Sequence, residues 1–156
     1  MISRLLTRTL SVALFTTVLA APAAAQTIQT EKHAFRVVTL TKGLDHPWSI
    51  AFLPDGRMLV TERAGKLRIV NKDFKLDPKP IAGLPEIAAH GQGGLLDVVL
   101  HPQYADNGWI YFSYSAPGDG GWGTALARAK LSGDMSGHRL TDLQVLFSME
   151  PKTRTG

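Results

Sequence analysis

The sequence predicts an all-β protein, a β-propeller of which this chain contains about the first two four-stranded blades. Apolar residues recur with strand periodicity from residue 26 onward, and that part shows no helical stripe. Two segments, 45–54 and 91–102, follow one plan of a polar turn, an apolar strand and a proline. Their prolines, Pro54 and Pro102, lie 48 residues apart, a spacing typical of propeller blades.

The first unit predicts a four-stranded meander. Its first apolar run stops at the Pro-Asp-Gly sequence of 54–56, a strong hairpin signal, and a second turn follows at 64–65. The predicted strands are 48–53, 57–61, 66–70 and a short outer strand at 80–84, with one more upstream at 35–40.

The second unit predicts the same order of elements. A longer turn at 101–108 follows its first strand, and a glycine-rich stretch at 117–121 breaks the chain before its third. The predicted strands are 95–100, 109–115, 124–131 and 143–149. A β-sandwich would share the strand spacing, but the returning order of turn, strand and proline favours a propeller. Because two blades cannot close a ring, we expect the chain to be the start of a longer protein.

Residues 1–25 have the organisation of a secretory signal peptide. They contain a start with two arginines and no acid, a short apolar run, and a small-residue cleavage region. The apolar run is well below the roughly 20 residues that span a bilayer, so no stable membrane anchor is expected, although an uncleaved helix is the alternative. Cleavage between Ala25 and Gln26 predicts a periplasmic or secreted protein and leaves a truncated propeller domain at 26–156.

Composition argues against several function classes. Removing the leader lowers the basic count from 17 to 15 against 13 acidic residues, so the formal charge falls from +4 to +2. No run of Lys and Arg is interleaved with aromatics, so a nucleic-acid partner is not predicted. The chain has no cysteine, which excludes disulfides and a cysteine nucleophile. Its histidines lack metal-ligand spacing, and no metal site is predicted within the chain.

Five ordered motifs lie at consistent spacing along residues 35–156. They are Gly43-Leu44-Asp45-His46-Pro47-Trp48, Leu53-Pro54-Asp55-Gly56, Val60-Thr61-Glu62-Arg63, Gly65-Lys66-Leu67-Arg68 and Gly91-Gln92-Gly93-Gly94-Leu95-Leu96-Asp97-Val98. Together they resemble the soluble aldose sugar dehydrogenases, quinoprotein relatives of soluble glucose dehydrogenase that are also grouped as the glucose/sorbosone dehydrogenase family.

The resemblance implies a six-bladed propeller that binds pyrroloquinoline quinone (PQQ) and calcium. It further implies oxidation of the anomeric carbon of aldose sugars to lactones, with electrons passed to a soluble acceptor. In that reaction a histidine takes the proton of the anomeric hydroxyl while hydride passes to the quinone, which calcium polarises. The family places this histidine directly after a stretch like 151–156. The catalytic base is therefore expected just beyond Gly156, and the calcium ligands and most quinone contacts on later blades.

Propeller geometry collects the candidate ligand residues on one rim. If the innermost strand of each blade starts at the ligand face, the turns before it and the loops between second and third strands emerge together. His46 and Gln92 then occupy equivalent turns, and the loops at 62–65 and 117–123 share their rim. The turns at 54–56 and 101–108 are expected on the opposite rim.

Gln92 is the substrate-binding candidate. Its amide offers both a donor and an acceptor to sugar hydroxyls, and the flanking glycines permit close approach of a ligand. The resemblance implies a place for this glutamine beside the quinone. The alternative is that Gln92 only decorates a glycine turn.

Three further residues are candidates for cofactor binding. Arg63 can meet a carboxylate of the cofactor, although a local ion pair with Glu62 beside it or a solvated turn is the alternative. His46 is either a ligand residue or a packed turn residue, and Trp122 either stacks on a ligand or caps the blade edge. Asp97, inside an apolar strand, is expected to form a structural hydrogen bond to a neighbouring strand.

Three function classes follow from these features. The favoured class is a PQQ-dependent sugar dehydrogenase. A calcium-dependent propeller lactonase or hydrolase would share the architecture without the Gly-Gln-Gly-Gly turn, and a non-enzymatic sugar- or protein-binding propeller would have blades without the base. Residues 26–156 alone are expected to be inactive and to aggregate through open sheet edges.

Overall fold

The computed structural model describes residues 27–134 and 137–154 of the chain, which divides into two compact units, 1–38 and 39–156. The predicted signal peptide and its cleavage site lie outside the described residues. In the first unit, β1 (Thr27–Gln29) pairs antiparallel with β2 (Ala34–Arg36). The strand predicted at 35–40 is wrong beyond Arg36, because none of the described residues pairs with 37–40 in a sheet.

The first sheet of the second unit has three antiparallel strands, which lie in chain order. They are β3 (Pro47–Phe52), β4 (Met58–Glu62) and β5 (Lys66–Val70). The predicted hairpin turn is confirmed, since Leu53 N–H donates to Arg57 C=O at 2.8 Å and Gly56 has a positive φ of 87°. The predicted fourth strand at 80–84 is wrong. Only two bridges form there, Ile81 to Leu67 and Ala82 to Arg139, and these partners belong to two different sheets, so no continuous ladder forms.

The second sheet has four antiparallel strands, again in chain order, as predicted. They are β6 (Leu95–Leu100), β7 (Trp109–Gly118), β8 (Gly121–Asp134) and β9 (Gly137–Ser148). The predicted turn at 101–108 contains a single helical turn, α1 (Tyr104–Asn107), which ends at Gly108 in the left-handed conformation. The predicted break at 117–121 is wrong in extent, because Gly118 pairs with Gly121 and the hairpin turns tightly at Asp119 and Gly120.

The core lies between the two sheets and holds alternate residues of their strands. Its largest fully buried apolar side chains are Phe112, Leu59, Leu67, Ile69, Leu95 and Ile110. Hydrogen bonds also cross between the sheets: Thr61 Oγ1 donates to Leu96 C=O at 2.6 Å, and Ser49 Oγ donates to Asp97 Oδ1 at 2.5 Å. Ser49 and Asp97 are 48 residues apart, the predicted repeat offset. The structural hydrogen bond predicted for Asp97 is therefore confirmed.

Apolar side chains of the edge strands β3 and β9 remain exposed in the described part of the chain, whereas Met58, Val60 and Val70 of the first sheet form a second buried cluster. On β3, Trp48, Ile50 and Phe52 are 49–69% exposed, and on β9, Val145 and Phe147 are 54% and 55% exposed. Propeller blades bury such faces against neighbouring blades. Across residues 27–134 and 137–154, no helix has the length and apolarity needed to cross a membrane.

Candidate functional site

The turns that enter β3 and β6 lie at one end of the sheets and meet at Arg63. The Arg63 N–H donates to His46 C=O at 3.0 Å, and the Arg63 C=O accepts from Leu95 N–H at 3.0 Å. The residue that follows β4 therefore joins the turn before β3 to the turn before β6. The structure brings His46, Arg63 and the Gln92 turn together on one rim, as the repeat predicted.

The Arg63 side chain binds the Gln92 turn directly. Its Nη1 donates to Gly91 C=O at 2.6 Å and to Gly93 C=O at 3.4 Å, the carbonyls on either side of Gln92. The alternative of a local ion pair between Arg63 and Glu62 is wrong. Among the described residues no carboxylate pairs with Arg63, which is half-buried and leaves its positive charge beside the turn.

The Gln92 side chain is exposed on this turn, and no hydrogen bond within the described chain engages its amide. The neighbouring glycines pack closely against protein. A Cβ on Gly93 would lie 2.5 Å from Ser115 Oγ, and one on Gly94 would lie 2.0 Å from Arg63 O. We predicted that these glycines admit a ligand, but at Gly93 and Gly94 the close neighbours are protein atoms. Both amide atoms of Gln92 remain available for a ligand.

Trp122 links three parts of this end of the sheets. Its ring centroid lies 4.3 Å from that of His90, which precedes the Gln92 turn, with the planes tilted by 33°. The Trp122 N–H donates to Thr153 C=O at 3.0 Å, and the Thr153 N–H donates back at 3.2 Å. No local sequence pattern signals this ring contact of His90. The segment around Thr153 therefore ends beside the same rim.

His46 contributes to the rim through its backbone. It has a positive φ of 47°, and its side chain is 73% exposed. The ring Nδ1 contacts Asp45 Oδ1 at 2.5 Å, while the carbonyl accepts from Arg63. Neither the ring contact nor the backbone contact of His46 is made with Gln92. The cofactor-binding role predicted for His46 stays a prediction.

A buried ion pair supports the turn before β3. Glu62 is fully buried, and its Oε1 accepts from Arg68 Nη1 at 3.1 Å and from Asp45 N–H at 2.8 Å. Arg68 also donates from Nη2 to Asp77 C=O at 2.9 Å. Its Nε is buried with no partner among the described residues. The pair fixes the backbone next to His46, a structural role that sequence reasoning missed.

The opposite end of the sheets has a different polar arrangement. Arg57 pairs with Asp55 at 2.8 Å, and its Nη1 contacts His138 Nε2 at 2.8 Å. The hydrogen bond from Arg57 holds the pKa of Asp55 below its ordinary value. Burial raises the pKa of Tyr104, with smaller contributions from the nearby charges of Arg57 and Asp55. The turns at 54–56 and 101–108 join β3 to β4 and β6 to β7 at the strand ends remote from His46 and Gln92, as predicted.

A bound metal ion needs several ligand side chains at one place. Within 27–134 and 137–154, no group of three or more His, Cys, Asp or Glu side chains is placed to hold one. Carboxylate oxygens in such groups are the usual protein ligands of calcium. The described residues therefore do not fit a calcium site.

The two sheets, their repeat offset and their shared rim define the class of protein as a β-propeller. The sequence model of the family described as Glucose / Sorbosone dehydrogenase matches residues 44–156. The chain belongs to this family.

Similar proteins carry names consistent with the family. The chain is 48% identical over 122 residues to aldose sugar dehydrogenase YliI of Escherichia coli strain K12, covering 77% of this chain and 32% of that protein. It is 36% identical over 77 residues to quinoprotein glucose dehydrogenase B of Acinetobacter calcoaceticus, covering 47% and 16%. The PQQ-bound aldose sugar dehydrogenase of Streptomyces coelicolor superposes with a TM-score of 0.64 at 26% identity, covering 85% and 37%. The chain thus spans about a third of the length of the Escherichia coli relative.

Proposed function

We propose that this chain is the N-terminal part of a PQQ-dependent dehydrogenase that oxidises the anomeric carbon of aldose sugars to lactones. The proposal includes an exported location and a soluble electron acceptor. Family membership supports it, as do the names of the relatives and the PQQ-bound form of the Streptomyces coelicolor protein. The observation that carries it is the exposed amide of Gln92, which has no partner among the described residues and lies on a turn that Arg63 ties to the first sheet.

The rim fits an anionic quinone with several carboxylates. Arg63 gives the rim a half-buried positive charge without a carboxylate partner among the described residues, and this charge favours an anion at the rim without a direct contact. The Gln92 amide can donate to a quinone or carboxylate oxygen and accept from a hydroxyl. When bound, PQQ supplies the hydride acceptor, and the protein supplies binding, orientation and electrostatics.

Gln92 has the chemistry needed to orient a sugar. Its Nε2 can donate to one hydroxyl oxygen and its Oε1 can accept from another, which restrains an aldose in two directions. The half-buried ring of Trp122, fixed against His90, offers an apolar surface of the kind that sugar faces contact. Holding a reactant in one orientation lowers the barrier of the step that follows.

The proton acceptor is proposed to lie just beyond Gly156. The pairing of Trp122 with Thr153 supports this position, because it brings the end of the described chain to the rim that carries Gln92. Calcium is proposed to bind outside the described residues, since their donor set does not fit it.

The experiment uses the product of the complete reading frame. PQQ is titrated into the protein in the presence of calcium, and aldose oxidation is followed with a soluble dye as electron acceptor. Gln92→Ala is compared with Gln103→Ala, an exposed glutamine of the opposite end. We expect quinone-dependent lactone formation, with KM for the aldose about tenfold higher in Gln92→Ala and unchanged in Gln103→Ala.

Three results would contradict the proposal. Absence of aldose oxidation at saturating PQQ would exclude the dehydrogenase. Hydrolysis of lactones with calcium alone would indicate the propeller hydrolase instead. Sugar binding without turnover in the complete, quinone-loaded protein would indicate a binding propeller.

A further inference from the structure

Arg63 contacts the turn before β6 through its backbone and its side chain. Its carbonyl accepts from Leu95 N–H at 3.0 Å, where β6 begins, and its Nη1 donates to Gly91 C=O at 2.6 Å. The longer contact of Nη1 with Gly93 C=O, at 3.4 Å, lies on the other side of Gln92. One residue of the first sheet therefore fixes both backbone neighbours of the substrate-binding candidate.

The turn needs an external restraint because of its composition. Three of its four residues at 91–94 are glycines, which have the largest backbone freedom of any residue. The exposed amide of Gln92 has no partner among the described residues that would hold it. Hydrogen bonds from a charged donor are stronger than those between neutral groups, so the guanidinium is well suited to restrain these carbonyls.

We propose that Arg63 is a positioning residue, whose guanidinium fixes the carbonyls of Gly91 and Gly93 so that Gln92 presents its amide to the aldose in one orientation. This role rests on the proposed function of Gln92. It differs from a direct contact between Arg63 and an anionic cofactor, because Nη1 is committed to two backbone carbonyls. Arg63 is then expected to act on the substrate only through Gln92.

A double-mutant cycle in the complete protein, loaded with PQQ and calcium, tests this dependence. Arg63→Met keeps the apolar stem and removes the donors, and it is combined with Gln92→Ala. We expect Arg63→Met alone to raise KM for the aldose about tenfold, with a smaller change in kcat. In the Gln92→Ala background the same change is expected to alter KM by less than about twofold, because groups that act through one another are not additive.

Two control variants separate positioning from other roles. Arg63→Lys keeps a charge and a donor and is expected to recover part of the KM effect, which also covers the case in which Arg63→Met does not fold. Arg57→Met removes an arginine at the opposite end and is expected to leave KM unchanged. Additive effects of Arg63→Met and Gln92→Ala, together with weaker PQQ binding, would overturn the proposal in favour of direct cofactor contact. Unchanged KM with reduced stability would overturn it in favour of a purely structural role.

Amide hydrogen exchange gives a readout that does not need activity. In the complete protein, peptides that cover residues 88–96 are expected to exchange about tenfold faster in Arg63→Met than in Arg57→Met. Equal exchange in the two variants would overturn the positioning role even if the wild-type protein oxidises aldoses. If exchange is faster in Arg63→Met but the wild-type protein shows no quinone-dependent oxidation, the proposed function is refuted. The restraint of the turn by Arg63 is then still supported.

Discussion

Replacing Gly94 by alanine tests the contact between Arg63 and the turn before β6. Gly94 has a φ of 155°, and an added Cβ would lie 2.0 Å from Arg63 O and 2.8 Å from Arg63 Cγ. An ordinary contact needs at least 3.4 Å, so Arg63 O would have to move by about 1.4 Å. That shift breaks the hydrogen bond from Leu95 N–H, now 3.0 Å long.

A matched control isolates the steric part of this effect. Gly137 has a φ of 159°, and a Cβ placed there would meet no atom of the described residues within 4 Å. Both substitutions share the backbone strain of a positive φ, about 1–3 kcal/mol. Only Gly94→Ala adds overpacking of about 1–3 kcal/mol and the loss of a hydrogen bond of about 1 kcal/mol. We therefore expect it to lower the free energy of unfolding by about 2–4 kcal/mol more than Gly137→Ala.

The assay is urea unfolding of the two variants in the complete protein, followed by tryptophan fluorescence and by aldose oxidation. Gly94→Ala is expected to have the lower midpoint and the higher KM. Equal midpoints would refute the reasoning, because they would mean that the backbone of Gly94 does not pack against Arg63.

Three other perturbations address the rest of the molecule. Residues 26–156 expressed alone are expected to aggregate and to show no aldose oxidation with added PQQ, whereas a soluble, active monomer in gel filtration would contradict this expectation. Glu62→Ala leaves Arg68 charged and buried without its partner, so the free energy of unfolding is expected to fall by about 3–5 kcal/mol in urea titrations. Arg57 lowers the pKa of Asp55, so this pair stabilises above the ordinary carboxyl pKa of about 3.9 and stops doing so as pH falls through the lower folded value. Arg57→Met should therefore reduce the urea midpoint at about pH 6 and progressively less as pH falls below about 3.9; a loss that does not change with pH would contradict it.

The local sequence pattern was sufficient to predict those strands that have a turn at both ends. The predicted strand 66–70 coincides with β5, and 95–100 coincides with β6, because turn residues bound both runs: Gly65 and Asn71 for β5, Gly94 and Pro102 for β6. The strands predicted at 35–40 and 80–84 failed for a different reason. A β-strand needs a partner, and for 80–84 the bridges reach two separate sheets, which no local pattern records.

The repeat was sufficient to predict which turns share the rim. The contacts between residues of these turns became known only from the structure. His46 and Gln92 were placed by their equivalent positions, whereas the bond between Arg63 and Gly91 joins residues 28 positions apart. The wrong ion pair of Arg63 with Glu62 came from sequence adjacency. In the hairpin, Arg68 pairs with Val60, two residues from Glu62, so the two side chains share one face of the sheet. Strand parity is the signal that would have identified their pair.

The most direct test of the account is a crystal structure of the complete protein with PQQ and an aldose bound. The account predicts that both ligands lie at the rim formed by His46, Arg63 and Gln92. It predicts that the Gln92 amide lies within about 3.2 Å of an oxygen of the sugar or the quinone. Ligands bound at the opposite end, beside Arg57 and His138, would contradict the account.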